Sequence, residues 1–350
     1  MKHRIATFLL FCLIVVWFTS TCSLFPSGAE GIILYVEEGQ IWALDVATNQ
    51  SKQLTFDEGP GSRVFTPKWS PDGHIFAYER FNNLWLSDRS GENQREIAEG
   101  ISGFWWVNAN LLRYCQSEQL NIRCFLYNST SETITALGYG SSWWIFAYSP
   151  DAKRALVQEY KLIDEKIYPQ NEQYLLDLET QENIFQHKIG EGFWTEDPQW
   201  TPDGKKVAFT AKLSNDVTSG NIFVIGANGE NLTQLTNFSD EEDLSVYPAL
   251  LRWSPDGEWL AFVVATTASN ELAVLKADGS YLKRLKIEWM TLGQSNLPPV
   301  WSPDSKEIAF VSNELRQEKA KWAVYTVNIE SGNVSHLLGV SDFRVWLDWR

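Results

Sequence analysis

Short runs of apolar residues alternate with polar turns along the chain from about residue 31 to its end. Runs such as "HIFAYER", "KKVAFTAK", "EWLAFVVA" and "KEIAFVSN" are each followed by a second run, such as "NLWLSD", "NIFVIGA", "ELAVLKA" and "WAVYTVN". A third run often follows, for example "NLTQLT" or "NVSHLL". Strict apolar–polar alternation is weak, which is typical of strands that pack on both faces. The pattern predicts an all-β protein.

One turn sequence comes before these runs five times. "WSPDG" stands at 69–73 and again at 253–257, and close variants stand at 148–152, 200–204 and 301–305. Ser, Pro, Asp and Gly in this order favour a type I turn between antiparallel strands. Two divergent copies complete the series: "FWWVNAN" has Trp106 at the aromatic position, and "RVWLDWR" has Trp349 there.

The aromatic residues before the turns lie at positions 69, 106, 148, 200, 253, 301 and 349, which are 37 to 53 residues apart. Four strands per unit at a period of about 40–50 residues indicate propeller blades. The chain opens with three strand-like runs, "IILYVEE", "QIWALDV" and "SKQLT", and it ends with "FRVWLDW". Joining them completes one blade and removes two unpaired edges. We therefore predict a single seven-bladed β-propeller of four-stranded blades over 31–350, with the C-terminal strand in the N-terminal blade. Without a blade at Trp106, the ring has six.

These repeats resemble the TolB-type β-propeller family, whose PD40 repeat is WD40-like and related to the propellers of dipeptidyl peptidase IV-like enzymes. The resemblance covers roughly 31–350 and implies the fold. It implies no particular function, because this repeat hosts many activities. The Tol member of the family has a separate N-terminal α/β domain, for which the short stretch after Cys22 leaves no room. The resemblance therefore does not extend to the Tol role.

The start of the chain differs from the rest. "MKHR" is basic, "IATFLLFCLIVVWF" at 5–18 is apolar, and "TSTCS" is polar. An apolar run of this length is short for a bilayer crossing and typical of a secretory signal. We predict a signal peptide over 1–21, a tether over 22–30 and export to the bacterial cell envelope. "FTSTC" resembles a lipobox, which implies a lipid on Cys22 as the only membrane anchor. The alternatives are cleavage without a lipid and an uncleaved anchor.

Charge and cysteine content add two constraints. The net charge is −15, which is a poor fit to nucleic acid or to an anionic membrane surface. The excess of acidic residues also has a simpler interpretation, which is that it keeps an aromatic-rich protein soluble. Cys115 and Cys124 flank a polar stretch between two strand-like runs, where a hairpin places them opposite each other. In an exported protein they form a disulfide, or else they are two buried thiols.

The long and varied connections are expected on the face opposite the repeated turns, where function usually lies. This face carries aromatic and acidic residues that suit a binding role. The candidate binding residues are Trp194, Glu196, Asp197, Asp240, Glu241, Glu242, Asp243, Tyr247 and Trp289. The competing interpretations are that the aromatic residues pack between blades and that the acidic run is a solvated loop.

Catalytic signals are few. There is no Gly-x-Ser-x-Gly stretch, the four histidines are scattered, and no Asp-x-Asp-x-Asp loop occurs. We therefore expect no catalytic residues, no metal and no cofactor. The leading hypothesis is a non-catalytic propeller that binds a protein, a peptide or a cell-envelope polymer through the long-loop face. The alternative is a carboxylate-dependent enzyme that acts on glycans at the same face.

Overall fold

The structure is a computed structural model, and it describes residues 31–56, 64–118, 121–137, 143–163, 166–180, 182–188, 198–211, 219–238, 246–266, 270–289, 298–314, 321–340 and 346–350. Within these ranges the chain forms seven antiparallel sheets of four strands each. They are the blades of a seven-bladed β-propeller, as the repeat spacing predicts. No helix in the same ranges has the length and the hydropathy that a membrane crossing needs.

The first blade joins the two ends of the chain. From the ring axis outward, its strands are β28 (Leu347–Trp349), β1 (Ile32–Glu37), β2 (Gln40–Asp45) and β3 (Gln50–Gln53). Ile33 of β1 lies opposite Trp349 of β28, and the backbones of Ile32 and Arg350 exchange two hydrogen bonds of 2.8 and 3.0 Å. The predicted closure by the C-terminal strand is confirmed.

Blades 2 to 7 each use four consecutive strands, and the first strand of each blade lies next to the axis. Blade 2 consists of β4 (Val64–Trp69), β5 (Ile75–Arg80), β6 (Asn83–Asp88) and β7 (Arg95–Ala98). Blade 3 consists of β8 (Ile101–Trp106), β9 (Leu111–Glu118), β10 (Asn121–Asn128) and β11 (Thr133–Ala136). Blade 4 consists of β12 (Trp143–Tyr148), β13 (Arg154–Ile163), β14 (Lys166–Asp177) and β15 (Asn183–Lys188).

Blade 5 consists of β16 (Gln199–Trp200), β17 (Lys206–Ala211), β18 (Asn221–Gly226) and β19 (Thr233–Gln234). Blade 6 consists of β20 (Tyr247–Trp253), β21 (Trp259–Ala265), β22 (Asn270–Lys276) and β23 (Leu282–Trp289). Blade 7 consists of β24 (Val300–Trp301), β25 (Glu307–Glu314), β26 (Lys321–Asn328) and β27 (Val334–Val340). The divergent copy at Trp106 ends the inner strand of blade 3, so the ring has seven blades and not six.

The five repeated turns share one hydrogen-bond pattern. In each, the Ser or Thr hydroxyl donates to the carboxylate of the Asp two residues later, at 2.5 to 2.7 Å. The same hydroxyl oxygen accepts a backbone N–H five residues on, as from Trp259 to Ser254 at 2.9 Å. The fourth turn residue has φ between 58° and 72°. This left-handed backbone explains Gly in three copies, and Ala152 and Ser305 adopt the same conformation.

The aromatic residue before each turn connects neighbouring blades. In four blades its indole N–H donates to a backbone carbonyl on the inner strand of the preceding blade, at 2.9 to 3.3 Å. The pairs are Trp106 with Lys68, Trp200 with Ala147, Trp253 with Gln199, and Trp301 with Arg252. Each acceptor stands one residue before the aromatic residue of its own blade. The repeated Trp therefore fixes the position of one blade against the next.

The apolar core is divided among the blade interfaces. One cluster joins Ala208 and Val224 of blade 5 to Leu260 and Phe262 of blade 6, and all four side chains are buried. The second and third strands of a blade, counted from the ring axis, contribute to the clusters on both of its sides, as β21 and β22 do in blade 6. This explains why their sequences are apolar without strict alternation. The two ends of the ring are left for binding.

Candidate functional site

The ring has two ends, and the repeated turns define one of them. We call the end that carries the turns at 69–73, 148–152, 200–204, 253–257 and 301–305 the turn face. The opposite end, where the chain passes from the outer strand of one blade to the inner strand of the next, is the loop face. Because neighbouring strands are antiparallel, the connection between the second and third strands of each blade also lies on the loop face.

Most of the residues predicted to bind a partner lie outside the described residues. These are Trp194, Glu196, Asp197, Asp240, Glu241, Glu242 and Asp243, and Cys22 lies outside them too. Their positions relative to one another are therefore not described. The predicted role of these residues stays a prediction.

Tyr247 and Trp289 lie at the ends of strands, not within a loop. Tyr247 begins β20 and Trp289 ends β23, so both stand at the loop-face end of blade 6. The cross-strand pairs Tyr247 with Ala265 and Asn270 with Trp289 place them in one row across this blade. Tyr247 is partly buried, and a Cβ atom built on Gly220 of blade 5 would lie 3.0 Å from its ring. Tyr247 therefore packs between blades at least in part.

One exposed aromatic residue at the loop face, Phe81, is not among the candidate binding residues predicted from the sequence. Phe81 is 58% exposed and stands in the two-residue turn between β5 and β6, where Arg80 pairs with Asn83. Phe81 and Asn82 have φ of 52° and 62°, as a type I′ turn requires. Such positions favour Gly, Asn or Asp and are uncommon for a bulky residue. The sequence "RFNN" between two apolar runs is the signal that could have revealed it.

The surroundings of Phe81 are aromatic and cationic. The guanidinium carbon of Arg80 lies 5.9 Å from the Phe81 ring centroid and 4.9 Å from that of Trp85. Phe56, at the loop-face end of blade 1, is 72% exposed. Burial raises the pKa of the Glu79 carboxyl, which precedes Arg80 in β5. We call Phe81 and Arg80 the loop-face patch.

Blade 3 carries the disulfide considered above. Cys115 and Cys124 lie directly opposite each other on β9 and β10, and a disulfide joins them. Arg113 donates a hydrogen bond from Nη2 to the Cys124 sulfur at 3.3 Å. The alternative of two thiols is not what the structure contains.

The inner strands carry a second exposed aromatic residue. Trp105, on β8, is 47% exposed, with Lys68 Nζ 5.7 Å and the Arg113 guanidinium 5.2 Å from its ring. Gly103 leaves room for this ring, because a Cβ atom there would lie 2.7 Å from it. The arrangement supplies cation–π contacts between the inner strands of blades 2 and 3.

Chemistry that needs a metal has no visible basis in the described parts of the chain. No three His, Cys, Asp or Glu side chains in these ranges come together as a metal site. Three of the turn aspartates, Asp151, Asp203 and Asp304, have lowered pKa values and accept hydrogen bonds within their own turns. Asp203, for example, has a pKa of about 2 because it accepts hydrogen bonds from the Thr201 hydroxyl and the Lys205 backbone N–H.

The family comparison agrees with the repeat at the start of the ring. The model of the dipeptidyl peptidase IV N-terminal region matches residues 35–106. The crystal structure of TolB from Acinetobacter baumannii is similar to this chain with a TM-score of 0.52 and 17% sequence identity, over 89% of this chain and 78% of TolB. The fold is TolB-like. No curated protein matches the sequence.

The TolB-like ring is also similar to propellers of enzymes. An oligogalacturonate lyase in complex with manganese gives a TM-score of 0.60 at 15% identity, over 87% of this chain and 83% of the lyase. A structure from a study of two prolyl endopeptidases gives 0.63 at 12% identity, over 89% of this chain and 49% of that chain. At these identities the similarity concerns the fold alone, because one fold hosts many activities.

Proposed function

We propose that this TolB-like propeller is an exported, non-catalytic protein that binds a protein, a peptide or a cell-envelope polymer through its loop face. The observation that carries the proposal is Phe81, an exposed aromatic side chain in a left-handed turn position. Neither burial nor backbone preference favours Phe there. Strained backbone and exposed aromatic residues concentrate at binding surfaces, so a partner supplies the reason that the fold does not.

The loop-face patch has the composition of a contact site. Aromatic residues and Arg are enriched in the centres of protein interfaces, where few residues supply most of the binding energy. Phe81 and Arg80 stand at the end of the hairpin of β5 and β6, the two central strands of a four-stranded blade. The hairpin therefore holds them rigidly before a partner binds. The equivalent turn of blade 1 has Glu38 and Gly39 at its two central positions, so that turn has no aromatic tip.

The overall charge restricts the partner. At −15, the protein favours partners with basic or neutral contact groups and repels other strongly acidic molecules. Arg80 adds one cation within the patch itself. Catalysis on glycans is the second candidate function, because the loop face is rich in Asp and Glu but the sequence selects no particular pair of carboxylates, and the shared fold with a lyase carries no activity.

Site-specific crosslinking tests the loop face. We would replace Phe81 with the photoreactive residue p-benzoylphenylalanine in the full chain, expressed in the organism of origin. The matched control carries the same residue in place of Tyr281, which is 50% exposed on the turn face. We expect a discrete crosslinked species from position 81 and none from position 281. Crosslinks from position 281 alone, or from neither position, would refute a loop-face partner.

Export and lipid attachment belong to the same proposal and rest on the N-terminal sequence, with Cys22 as the lipid-bearing residue. Metabolic labelling with a palmitate analogue should mark the wild-type protein and leave Cys22→Ala unlabelled. Equal labelling of both proteins, or a wild-type protein recovered free of membrane, would count against the lipid anchor. Either result leaves the loop-face proposal to its own test.

A further inference from the structure

A cleft of about 600 Å³ crosses the turn face at blade 5. Its walls come from three consecutive blades, with Arg154 of blade 4 and Asp278 of blade 6 lining it together with Lys206 and Gly226 of blade 5. It lies at the opposite end of the ring from the loop-face patch. A volume of this size is typical of sites that bind small molecules.

Blade 5 departs from the repeat at one position that lines the cleft. Lys206, the first residue of β17, pairs with Gly226, the last residue of β18. In every other blade the residue at the position of Gly226 has a polar side chain. These residues are Asp45, Asp88, Asn128, Asp177, Lys276 and Asn328. Gly226 is required locally, because a Cβ atom there would lie 2.7 Å from Asn228 Oδ1 and 3.0 Å from the Glu230 carbonyl oxygen.

The missing side chain leaves a lysine without an opposite carboxylate. In blade 4 the corresponding cation, Arg154, faces Asp177, and the charge of Arg154 contributes to lowering the pKa of Asp177. In blade 5 the lysine at that position, Lys206, is exposed, and its cross-strand partner is Gly226, which has no side chain. Within the described residues, no carboxylate lies within ion-pair distance of Lys206. The position next to Gly226 is instead bordered by the Asn228 side chain and the Glu230 carbonyl oxygen, neither of which is a carboxylate.

Arg154 brings a second cation to the same cleft. Its Nε atom is buried and makes no hydrogen bond to any of the described residues. A buried N–H without an acceptor costs free energy, and a planar guanidinium pairs well with the two oxygens of a carboxylate.

The acids that line the cleft are engaged by their own turns. Asp151 accepts hydrogen bonds from the Ser149 hydroxyl and the Lys153 N–H, and Asp278 accepts one from the Ser280 N–H. Asp203 pairs with Lys205 at 3.0 Å. Arg154 interacts electrostatically with Asp151 and Asp177, whereas Lys206 forms no ion pair with a carboxylate of the described residues.

The remaining lining is largely apolar. Val224 and Ala227 are buried, Leu235 and Ala277 are partly buried, and all four line the cleft. An apolar lining beside two cations suits a ligand that carries one anionic group on a hydrocarbon body. In blade 6 the residue equivalent to Lys206 is Trp259, whose ring packs against Tyr281 and beneath Lys276. In blade 6 an aromatic side chain thus takes the place of the lysine.

We propose that this cleft is a binding site for a small organic carboxylate, with Lys206 and Arg154 binding the carboxylate and the apolar residues contacting its body. The site is distinct from the loop face and does not depend on the function proposed for that face. A carboxylate bound there pairs with Lys206, which has no carboxylate as its cross-strand partner. The ligand thus supplies the anion that the sequence of blade 5 omits.

Calorimetric titration of the full chain tests the site with benzoate, and with benzamide as its neutral analogue. We expect benzoate to bind about tenfold or more tightly than benzamide, since hydrogen bonds to charged groups have roughly this strength. Lys206→Gln should weaken benzoate binding by about tenfold, whereas Lys206→Arg should largely retain it. The matched control is Lys306→Gln, a turn-face lysine of blade 7 that does not line the cleft.

The outcomes separate clearly. Selective loss of benzoate binding in Lys206→Gln, with Lys306→Gln unchanged, supports the site. Equal binding of benzoate and benzamide, equal losses in the two lysine variants, or no binding to the wild-type protein overturns it. Thermal melting of each variant identifies any that fail to fold, and Arg154→Gln then serves as the second variant with the same expected loss.

Discussion

The carboxylate of Asp348 accepts a hydrogen bond of 2.6 Å from the backbone N–H of Trp69, across 279 residues of sequence. Asp348 belongs to β28, the strand that completes blade 1, and Trp69 ends the inner strand of blade 2. At four other blade junctions the indole N–H of the repeated Trp donates to the preceding blade, but the indole nitrogens of Trp69 and Trp349 are buried without a hydrogen bond to the described residues. At the junction of the chain ends, a side-chain carboxylate therefore replaces the indole bond.

The first prediction concerns this junction. Asp348→Ala leaves the Trp69 N–H without its acceptor, and we expect a loss of about 1–3 kcal/mol in the free energy of unfolding. Asp348→Asn retains a carbonyl oxygen that can accept the bond and should lose less at acidic pH. Urea denaturation of the three proteins measures both effects. An Asp348→Ala variant as stable as the wild type would mean that this bond contributes nothing to ring closure.

The second prediction is the sign of the pH dependence at Asp348. Burial raises the pKa of this carboxyl, while Arg350, the Trp69 N–H and Lys68 act in the opposite direction. A raised pKa in the folded state means that the protonated form is favoured by folding. The stabilising contribution is present below the ordinary value near 3.8 and is lost as the pH rises through the raised pKa. Asp348→Asn, which cannot ionise, should therefore gain stability relative to the wild type as the pH rises from acidic to neutral. A difference in unfolding free energy between Asp348→Asn and the wild type that stays constant from acidic to neutral pH would argue against a raised pKa at Asp348.

The ring could be predicted from sequence because its determinants are local. Each turn copy combines Pro, Asp and a residue that adopts positive φ, and together they mark the inner strands and their spacing. Closure followed from counting strands at the two ends. The bond from Trp69 to Asp348 could not be predicted, because it depends on how far a side chain reaches between blades.

The loop face was harder to predict for a related reason. Tyr247 and Trp289 were expected within long loops and instead end strands, since strand boundaries shift by a few residues without a change in pattern. The significance of Phe81 depends on a left-handed backbone, and that of Gly226 on the residue opposite it. Neither property is visible until the strands are paired.

The third prediction addresses Asp203, a turn aspartate whose pKa shift has the sign opposite to that of Asp348. Hydrogen bonds from Thr201 and the Lys205 N–H lower the pKa of Asp203 to about 2. The stabilising contribution is therefore present above the ordinary value near 3.8 and is lost as the pH falls towards 2. Asp203→Asn should be less stable than the wild type at pH about 6, and the difference should shrink as the pH falls. Urea denaturation across this range measures it, and a difference that grows in acid would contradict the assignment.

The fourth prediction concerns the C-terminal strand as a whole. Deletion of residues 343–350 removes β28, and with it the buried Trp349 and the pairing with β1. The ring then has two open edges, so we expect a lower melting temperature and a broader thermal transition. Circular dichroism and calorimetry measure both. An unchanged melting curve would show that blade 1 is stable with three strands.

The fifth prediction separates the two kinds of tryptophan on the inner strands. Trp253 is buried between blades 5 and 6, and its indole donates to the Gln199 carbonyl. Trp253→Ala should therefore cost about 3–5 kcal/mol of unfolding free energy, from the cavity and the lost hydrogen bond. Trp105 is the matched control, because its ring is 47% exposed and contacts Lys68 and Arg113 only through cation–π geometry. Trp105→Ala should cost about 1 kcal/mol. Equal losses in the two variants would show that the repeated Trp has no special role in joining the blades.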